Sequence, residues 1–466
     1  MQELDSRIEK WVNDHRDAYL RDVSRLVAIR SVAGPAEPGK PFGAGPAAAL
    51  DEAMKICREQ GLRVLNHEGY VMTADLCAEE TVLDILAHLD VVGEGEGWDT
   101  DPYTAVEKDG CLYGRGTDDD KGPAVAAIYA MACIAELSPL KKNVRLILGT
   151  DEESGSRDIR HYYASNRPAP NTFSPDASFP VFNTEKGGLA ARFRKSWTKQ
   201  STLPRIDSLE GGYRINVLPA DAQAVVLGLQ EEEIEAVCGP LAEQLRVELR
   251  LSRQGDGVLV AVKGFAAHAS TPEQGNNGIT ALIRMLLALP FAEGPGLEAI
   301  RSLDKLMPHG DGLGRALGIA MEDDLSGPLT LAFSLLKMTE SGVEGAFDSR
   351  VPICANDENC RIKAKAAFEA EGFSFEGSLR PPHHTPADSP FIQSMLKRYS
   401  EFTGRKGECL SMGGGTYVHD IPGGVAFGAA MPDFESNLHG ANERMNIEDM
   451  LSAIKIFAAV IYDLCC

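Results

Sequence analysis

Two histidines and a scattered set of carboxylates are the residues of this chain whose types and spacing could do chemistry. His88 and Asp90 stand two apart in LAHLDVV, so at the end of an extended run both side chains point to one face. Taken alone, the pair describes equally well a core histidine beside a loop aspartate. Asp118, Asp119 and Asp120 in GRGTDDDKG precede a helix-like stretch, where one of them would also serve as a cap. The run is no phosphate cradle, because GxxxxGK[ST] is absent and consecutive acids repel phosphate. Glu152 and Glu153 are neighbours in GTDEESG, and in an extended segment their side chains diverge and can serve two jobs. Asp176 in SPDASFP and His439 in NLHGANE complete the set. Imidazole plus carboxylate suits zinc or a similar borderline metal, and a shared carboxylate can bridge two ions.

The elements that must position these groups are legible as periodicity. Val82 to Leu89 and Val144 to Leu148 are apolar runs that read as strands, and Gly122 to Leu137 reads as an Ala-rich helix. Together they predict a central sheet flanked by helices, with the chemical residues on loops after strands, where open α/β sheets bind ligands. Leu4, Ile8, Trp11, Tyr19, Val23 and Leu26 recur at helical spacing and predict one long N-terminal helix. After the Gly/Pro-rich loop of residues 34–46, a second periodic stretch near 47–60 stops at Gly61. Late in the chain, Val425 to Ala430 reads as a strand. Asn446 can cap a last helix striped with Ile447, Leu451, Ile454, Phe457 and Ile461. From about 186 to 376 the style changes: strand-like segments at Tyr213 to Val217, Ala224 to Leu229 and Val258 to Val262 alternate with helical ones. This reads as an inserted domain.

The ordered constellation resembles the zinc-dependent aminoacylase and carnosinase superfamily of metallopeptidases, and within it the PepV-type dipeptidases of bacteria. The resemblance runs through LAHLDVV, GRGTDDDKGP, GTDEESG, SPDASFP, INVLPA, GFAAHASTPEQGNN, FDSR, GGGTY and the late His439. It implies an α/β fold with a discontinuous zinc-exopeptidase-like catalytic domain, residues 1–185 and 377–466, and an inserted α/β lid domain, residues 186–376. It implies two divalent metal ions, zinc first, with manganese or cobalt suited to the same ligands. His88 and Asp176 would hold one and Glu153 and His439 the other, with Asp119 bridging; Asp118 and Asp120 offer the same chemistry one position away. By the same resemblance Asp90 orients His88, Glu152 is the general base, and His268 in GFAAHAS hydrogen-bonds the developing oxyanion. Asn216, Arg350 and Gly415 would bind substrate. Arg350 suits a bidentate grip on a free C-terminal carboxylate, a surface salt bridge being its plainer use.

The expected activity is hydrolysis of dipeptides by a metal-activated water. An N-acyl amino acid deacylase or desuccinylase would use the same metal core, and a binding protein without turnover would have no need of Glu152. Composition narrows the partners. The 466 residues carry 46 Lys and Arg against 68 Asp and Glu, a net charge of −22, which disfavours nucleic acid and anionic membranes and leaves a small peptide as the expected partner. With 44% hydrophobic and 24% charged residues the composition is ordinary for a globular chain, and no apolar run approaches the ~18 residues of a membrane span. Met1 to Lys10 is charged where a signal peptide would be apolar, so a cytoplasmic location is expected. The ten cysteines lack a CxxC pair and read as free thiols, Cys465 and Cys466 among them. An insert of roughly 190 residues is long enough for two small modules. The expectation is that its second half stands in for a partner's lid and that the monomer is active.

Overall fold

The strands Thr81–His88 and Asn143–Gly149 run parallel, with Ile85 opposite Leu146 and His88 opposite Gly149. In the computed structural model, which describes residues 2–466, they form the middle of a mixed sheet. Its strands follow the order Arg63–His67, Val71–Asp75, Asn143–Gly149, Thr81–His88, Asn171–Ser174, Gly424–Ala426 and Val181–Glu185. Asn171–Ser174 and Gly424–Ala426 extend the parallel centre, and the outer strands are antiparallel.

Alternation along the strands divides their apolar side chains between two layers. Ile85, Ala87, Leu146 and Leu148 enter one core with the helices Gln2–Asp14, Arg16–Val27, Lys121–Leu137 and Ile447–Cys465. Leu86 and Ile147 meet Ile159, Tyr162, Tyr417 and Val418 on the other side. The helix Lys121–Leu137 is buried without interruption from Lys121 to Ile134, as a helix apolar on every face must be. Asn446 caps the last helix, its side chain accepting from the Asp449 amide at 3.0 Å. The result is an α/β sheet with both faces covered.

These elements belong to the first of two units, which comprises the chain up to Thr184, His384–Ser411 and Gly415–Cys466. The second unit is Glu185–His383 with Met412–Gly414. It is built on an eight-stranded antiparallel sheet in the order Glu248–Gln254, Gly257–Lys263, Asp221–Leu227, Arg205–Gly211, Thr330–Thr339, Gly342–Val351, Gly187–Ser196 and Ser374–Arg380. Leu189, Ala191 and Phe193 are buried while Ala190, Arg192 and Arg194 between them are exposed. The buried face packs on the helices Glu231–Leu245, Gly278–Leu286, Pro295–Leu306 and Ile362–Ala370.

Several local expectations are corrected. The N-terminal helix breaks at His15, whose ring stacks on Trp11 at 3.8 Å and whose Nδ1 lies 2.8 Å from the Trp11 carbonyl. Tyr213–Asn216 is a bend and turn, with Val217 opening the two-residue strand Val217–Leu218; the longer strand is Arg205–Gly211, and Gly212 ends it with a φ of 78° where a Cβ would lie 1.8 Å from the Ser334 carbonyl oxygen. The run Val425–Ala430 divides at Phe427 and Gly428 into Gly424–Ala426 and Ala429–Ala430. A boundary at 376 would cut the strand Ser374–Arg380, whose pairing with Gly187–Ser196 reaches Arg380 opposite Gly188. Cys465, close to the end of the chain, is part of the first unit's core. Among the described residues all ten cysteines are free, and no helix is long and apolar enough to cross a membrane.

Candidate active site

The carboxyl ends of the two central strands deliver the chemistry of the first unit. His88 closes its strand: its amide donates to Asp120 Oδ2 at 3.0 Å and its Nδ1 lies 2.9 Å from the Asp90 carbonyl oxygen. The Asp90 carboxylate stands further off, its Oδ1 3.5 Å from Nδ1. The carboxylate instead accepts from the amides of Glu152 and Glu153, each at 3.1 Å. Glu152–Ser154 is therefore a 3-10 turn and not the extended segment expected, and its geometry is set by the residue two beyond His88. The turn is anchored a second time by Asp158, which accepts from the Thr150 amide at 2.6 Å, the Asp151 amide at 2.9 Å and the Tyr417 hydroxyl at 2.5 Å. Glycine is required just before it, since a Cβ on Gly149 would sit 2.1 Å from that hydroxyl oxygen.

Asp119 occupies the middle of the cluster. Its Oδ1 is 2.9 Å from His88 Nε2 and its Oδ2 is 2.9 Å from His439 Nε2, so one carboxylate spans both imidazoles. Asp176 Oδ2 lies 3.8 Å from His88 Nε2, and Glu153 Oε1 lies 3.2 Å from His439 Nε2. Two sets of ligand atoms each fall within 4.8 Å of one another: His88, Glu152 and Asp176, and Asp119, Glu153 and His439. All seven residues expected at the metal centre, Asp90 included, thus come together in the first unit.

Sequence reasoning missed the residues beneath this layer. Glu443, fully buried, accepts from the amides of Gly116, Asp118 and Asp119 through Oε1 and from Arg115 Nη1 at 2.6 Å through Oε2. Arg115 also donates to the Gly440 carbonyl at 2.9 Å, which ties the Asp119 loop to the turn bearing His439. Lys121 is buried with its Nζ on the carbonyls of Leu26 and Ile29, so it is structural. The one signal for Glu443 is its place four residues after His439 in NLHGANE, an acid beside an apolar helix.

The electrostatics describe a site short of positive charge. Burial pushes the Glu152 carboxyl up to about 8. Burial, reinforced by Asp119 and Asp120, pushes Asp176 well above the usual carboxylate range. Burial acts on Asp119 in the same sense, but His439 and His88 outweigh it and hold that carboxyl well below its ordinary value. Asp119, followed by Glu153, raises the His439 imidazole to about 10. His88 Nε2 and Glu153 Oε1 are buried, and neither meets a partner in hydrogen-bond geometry. Orphaned ligand atoms, crowded buried carboxylates and two imidazoles are the donor set that divalent cations neutralise, so the residues fit a two-metal centre.

The remaining expected residues lie in the second unit, apart from Gly415 in the first. Val217 pairs with His268 and the Ala269 amide donates to the Asn216 carbonyl, so Asn216 and His268 share one short ribbon. His268 Nδ1 is 2.6 Å from Ser270 Oγ. Arg350 donates through Nη1 to the Gly413 carbonyl at 3.0 Å and through Nε and Nη2 to Asp348 Oδ2. Gly413 approaches Ser270 so closely that an added Cβ would lie 2.8 Å from the serine Cβ.

The sequence pattern of the peptidase family M20/M25/M40 matches residues 85–463. The protein YtjP of Bacillus subtilis (strain 168) is 33% identical over 458 residues, covering 96% of this chain and 97% of its own. The Beta-Ala-Xaa dipeptidase of Lactobacillus delbrueckii subsp. lactis is 30% identical over 469 residues, covering 99% of both. In fold the chain is similar to human carnosine dipeptidase 1, with a TM-score of 0.61 at 17% identity over 99% of this chain and 98% of that one. It is likewise similar to an M20 family metallo-carboxypeptidase of Sulfolobus solfataricus, with a TM-score of 0.59 at 16% identity over 95% and 98%.

Proposed function

The chain belongs to the peptidase family M20/M25/M40 and is a metallohydrolase, and from that premise we propose that it is a dipeptidase acting on dipeptides with a free C-terminal carboxylate. The observation that carries the reading is Asp119 set between His88 and His439 at 2.9 Å from each, with Glu152 beside them. His88 and Asp176 would hold one divalent ion and Glu153 and His439 the other, with Asp119 placed to serve both. Zinc is the first choice, with manganese and cobalt suited to the same donors. When bound, two such ions polarise the scissile carbonyl and lower the pKa of a water molecule.

The chain's own groups do the rest. Glu152 takes the water proton and delivers it to the leaving amine; its amide on Asp90 keeps its backbone in place while the side chain works. His268 donates to the oxyanion as it develops. Arg350 grips the substrate carboxylate, and Asn216 and Gly415 contact the peptide. The protein works as a monomer, the second half of its insert taking the place of a partner's lid. The uninterrupted eight-stranded sheet supports this, since its halves join within one chain at Leu209 opposite Met338. Mixing inactive His268→Ala with inactive Glu152→Gln protein should restore nothing; recovered activity would mean that His268 crosses between subunits.

The test of the activity is a panel of dipeptides beside N-acetyl and N-succinyl amino acids, assayed with zinc, manganese and cobalt in turn. Amino acids should be released from the dipeptides. Release from the acylated amino acids alone would make the enzyme a deacylase or desuccinylase, and binding without turnover would make it a peptide-binding protein.

A further inference from the structure

The second unit contains a cavity of about 650 Å³ to which none of the steps above assigns a role. That volume lies within the range of small-molecule sites. Leu218, Met307, Leu313, Leu331 and Phe333 give it an apolar lining that stands beside polar and charged residues. At the Thr280 wall the polar groups are already satisfied, with Thr280 Oγ1 bonded to the Asn277 carbonyl and 2.9 Å from His309 Nδ1. Burial lowers the His309 imidazole below its usual value, so that wall is uncharged at neutral pH. Four charged residues line the cavity, Lys186 and Arg315 against Glu273 and Asp311, so neither sign prevails. Lys186 Nζ donates to the Pro328 carbonyl, and the Asp311 carboxylate accepts from the amides of Leu313, Arg315 and Ala316.

Two of the walls lead directly to residues assigned above to the substrate. Ser270 lines the cavity, bonds His268 Nδ1 and packs against Gly413, whose carbonyl takes Arg350 Nη1. Thr330 lines it as well, and it is the cross-strand partner of Arg350. A carboxylate held by Arg350 therefore belongs to a residue whose own side chain has this cavity as its neighbour.

We propose that the cavity receives the side chain of the substrate's C-terminal residue and favours large uncharged ones, aliphatic or aromatic. The inference rests on the dipeptidase reading and adds the substrate class to it. Selection comes from apolar burial, because no uncommitted charge of one sign dominates the walls. Leu313 is half-buried and Arg315 exposed in the same loop, so tryptophan at either position fills space without rebuilding the core.

The experiment compares kcat/KM for alanyl dipeptides ending in Gly, Ala, Leu, Phe, Asp or Lys with the reversed series that varies the N-terminal residue. In the natural enzyme the C-terminal series should rise by at least about 10-fold from Gly to Phe, the scale on which an apolar pocket discriminates size. Leu313→Trp and Arg315→Trp, each checked for an unchanged thermal midpoint, should lose that gain while the Gly-ending substrate changes by less than about 3-fold. Cleavage that ignores the C-terminal side chain, or a loss falling on the N-terminal series, overturns the proposal and leaves the dipeptidase standing. Failure to cleave any dipeptide overturns both.

Discussion

Arg115 and Glu443 meet at 2.6 Å with side chains 1% and 0% exposed, and this buried pair holds together the two loops that carry Asp119 and His439. One Glu443 oxygen collects three amides of the Asp119 loop, while Arg115 reaches the carbonyl that follows His439. The spacing of Asp119 and His439, the two proposed ligands, 320 residues apart in sequence, therefore depends on a pair that touches neither side chain. Glu443→Ala would leave Arg115 charged, buried and unpaired, at a cost of roughly 3–5 kcal/mol. Glu443→Gln keeps an oxygen for the amides and should cost less. Urea unfolding reads the stability and a calorimetric zinc titration reads the ligand spacing; an alanine variant as stable as the natural protein and with its metal affinity would refute the role.

Glu152 and Glu153 sit on the same Asp90 carboxylate but point to different work. Glu152→Gln should retain both metals while kcat falls by at least about 10²-fold, the lower scale for loss of a general base. Glu153→Gln should lose metal instead. Chelation should abolish hydrolysis and divalent metal restore it, with a rise in thermal midpoint as the crowded carboxylates are neutralised. Metal content by elemental analysis separates the two glutamates; the opposite pattern would exchange their roles.

Asp84 lies on the same strand as His88 but serves the fold. Its Oδ2 accepts from the Ala169 amide at 2.8 Å while Oδ1 is buried without a partner, and burial pushes the carboxyl up to about 6. The unfolded chain should titrate this group near its ordinary ~3.9. Between those values the folded state binds the extra proton, so the contribution to stability is full below about pH 4 and is lost as pH rises through about 6. The stability of Asp84→Asn relative to the natural protein should therefore increase from pH 4 to pH 6 and level off above. Parallel stability curves across that interval would show that Asp84 has no raised pKa.

What the sequence disclosed and what it hid have a common cause. His88, the run Asp118 to Asp120, Glu152, Glu153, Asp176 and His439 stood out as chemical residues on loops beside apolar runs, whereas their roles, and the choice of Asp119 within its run, came from the resemblance. The cap at Asn446 was legible from the apolar stripe after it. The tasks of Glu443 and Asp120 were not, because their partners are backbone amides: Gly116, 327 residues away for Glu443, and His88, 32 residues away for Asp120. No spacing rule records an amide. The break at His15 escaped because its cause, the ring stacked on Trp11, interrupts a helix without disturbing its apolar stripe. Glu152 and Glu153 looked extended from their place after a strand, whereas Asp90 and Asp158 gather the amides of residues 150–153 and coil the segment.

Arg350 offers the sharpest test of substrate orientation. Two of its nitrogens are taken by Asp348 and a third reaches Gly413, with the side chain 21% exposed. An arginine kept only for structure needs no more than these contacts, whereas one that grips a carboxylate must also lose binding energy when the carboxylate is masked. Arg350→Ala should therefore weaken free-acid dipeptides far more than their C-terminal amides. Loss of one side of a buried charge-assisted pair costs roughly 2–5 kcal/mol against under about 1 for an exposed pair. The lower figure corresponds to about a 30-fold difference in kcat/KM between the two substrate forms. Because Asp348 is left without its partner in either assay, any damage to the fold divides out of the ratio. Equal losses for acid and amide would assign Arg350 to the structure of the second unit and leave the C-terminal carboxylate to be held elsewhere.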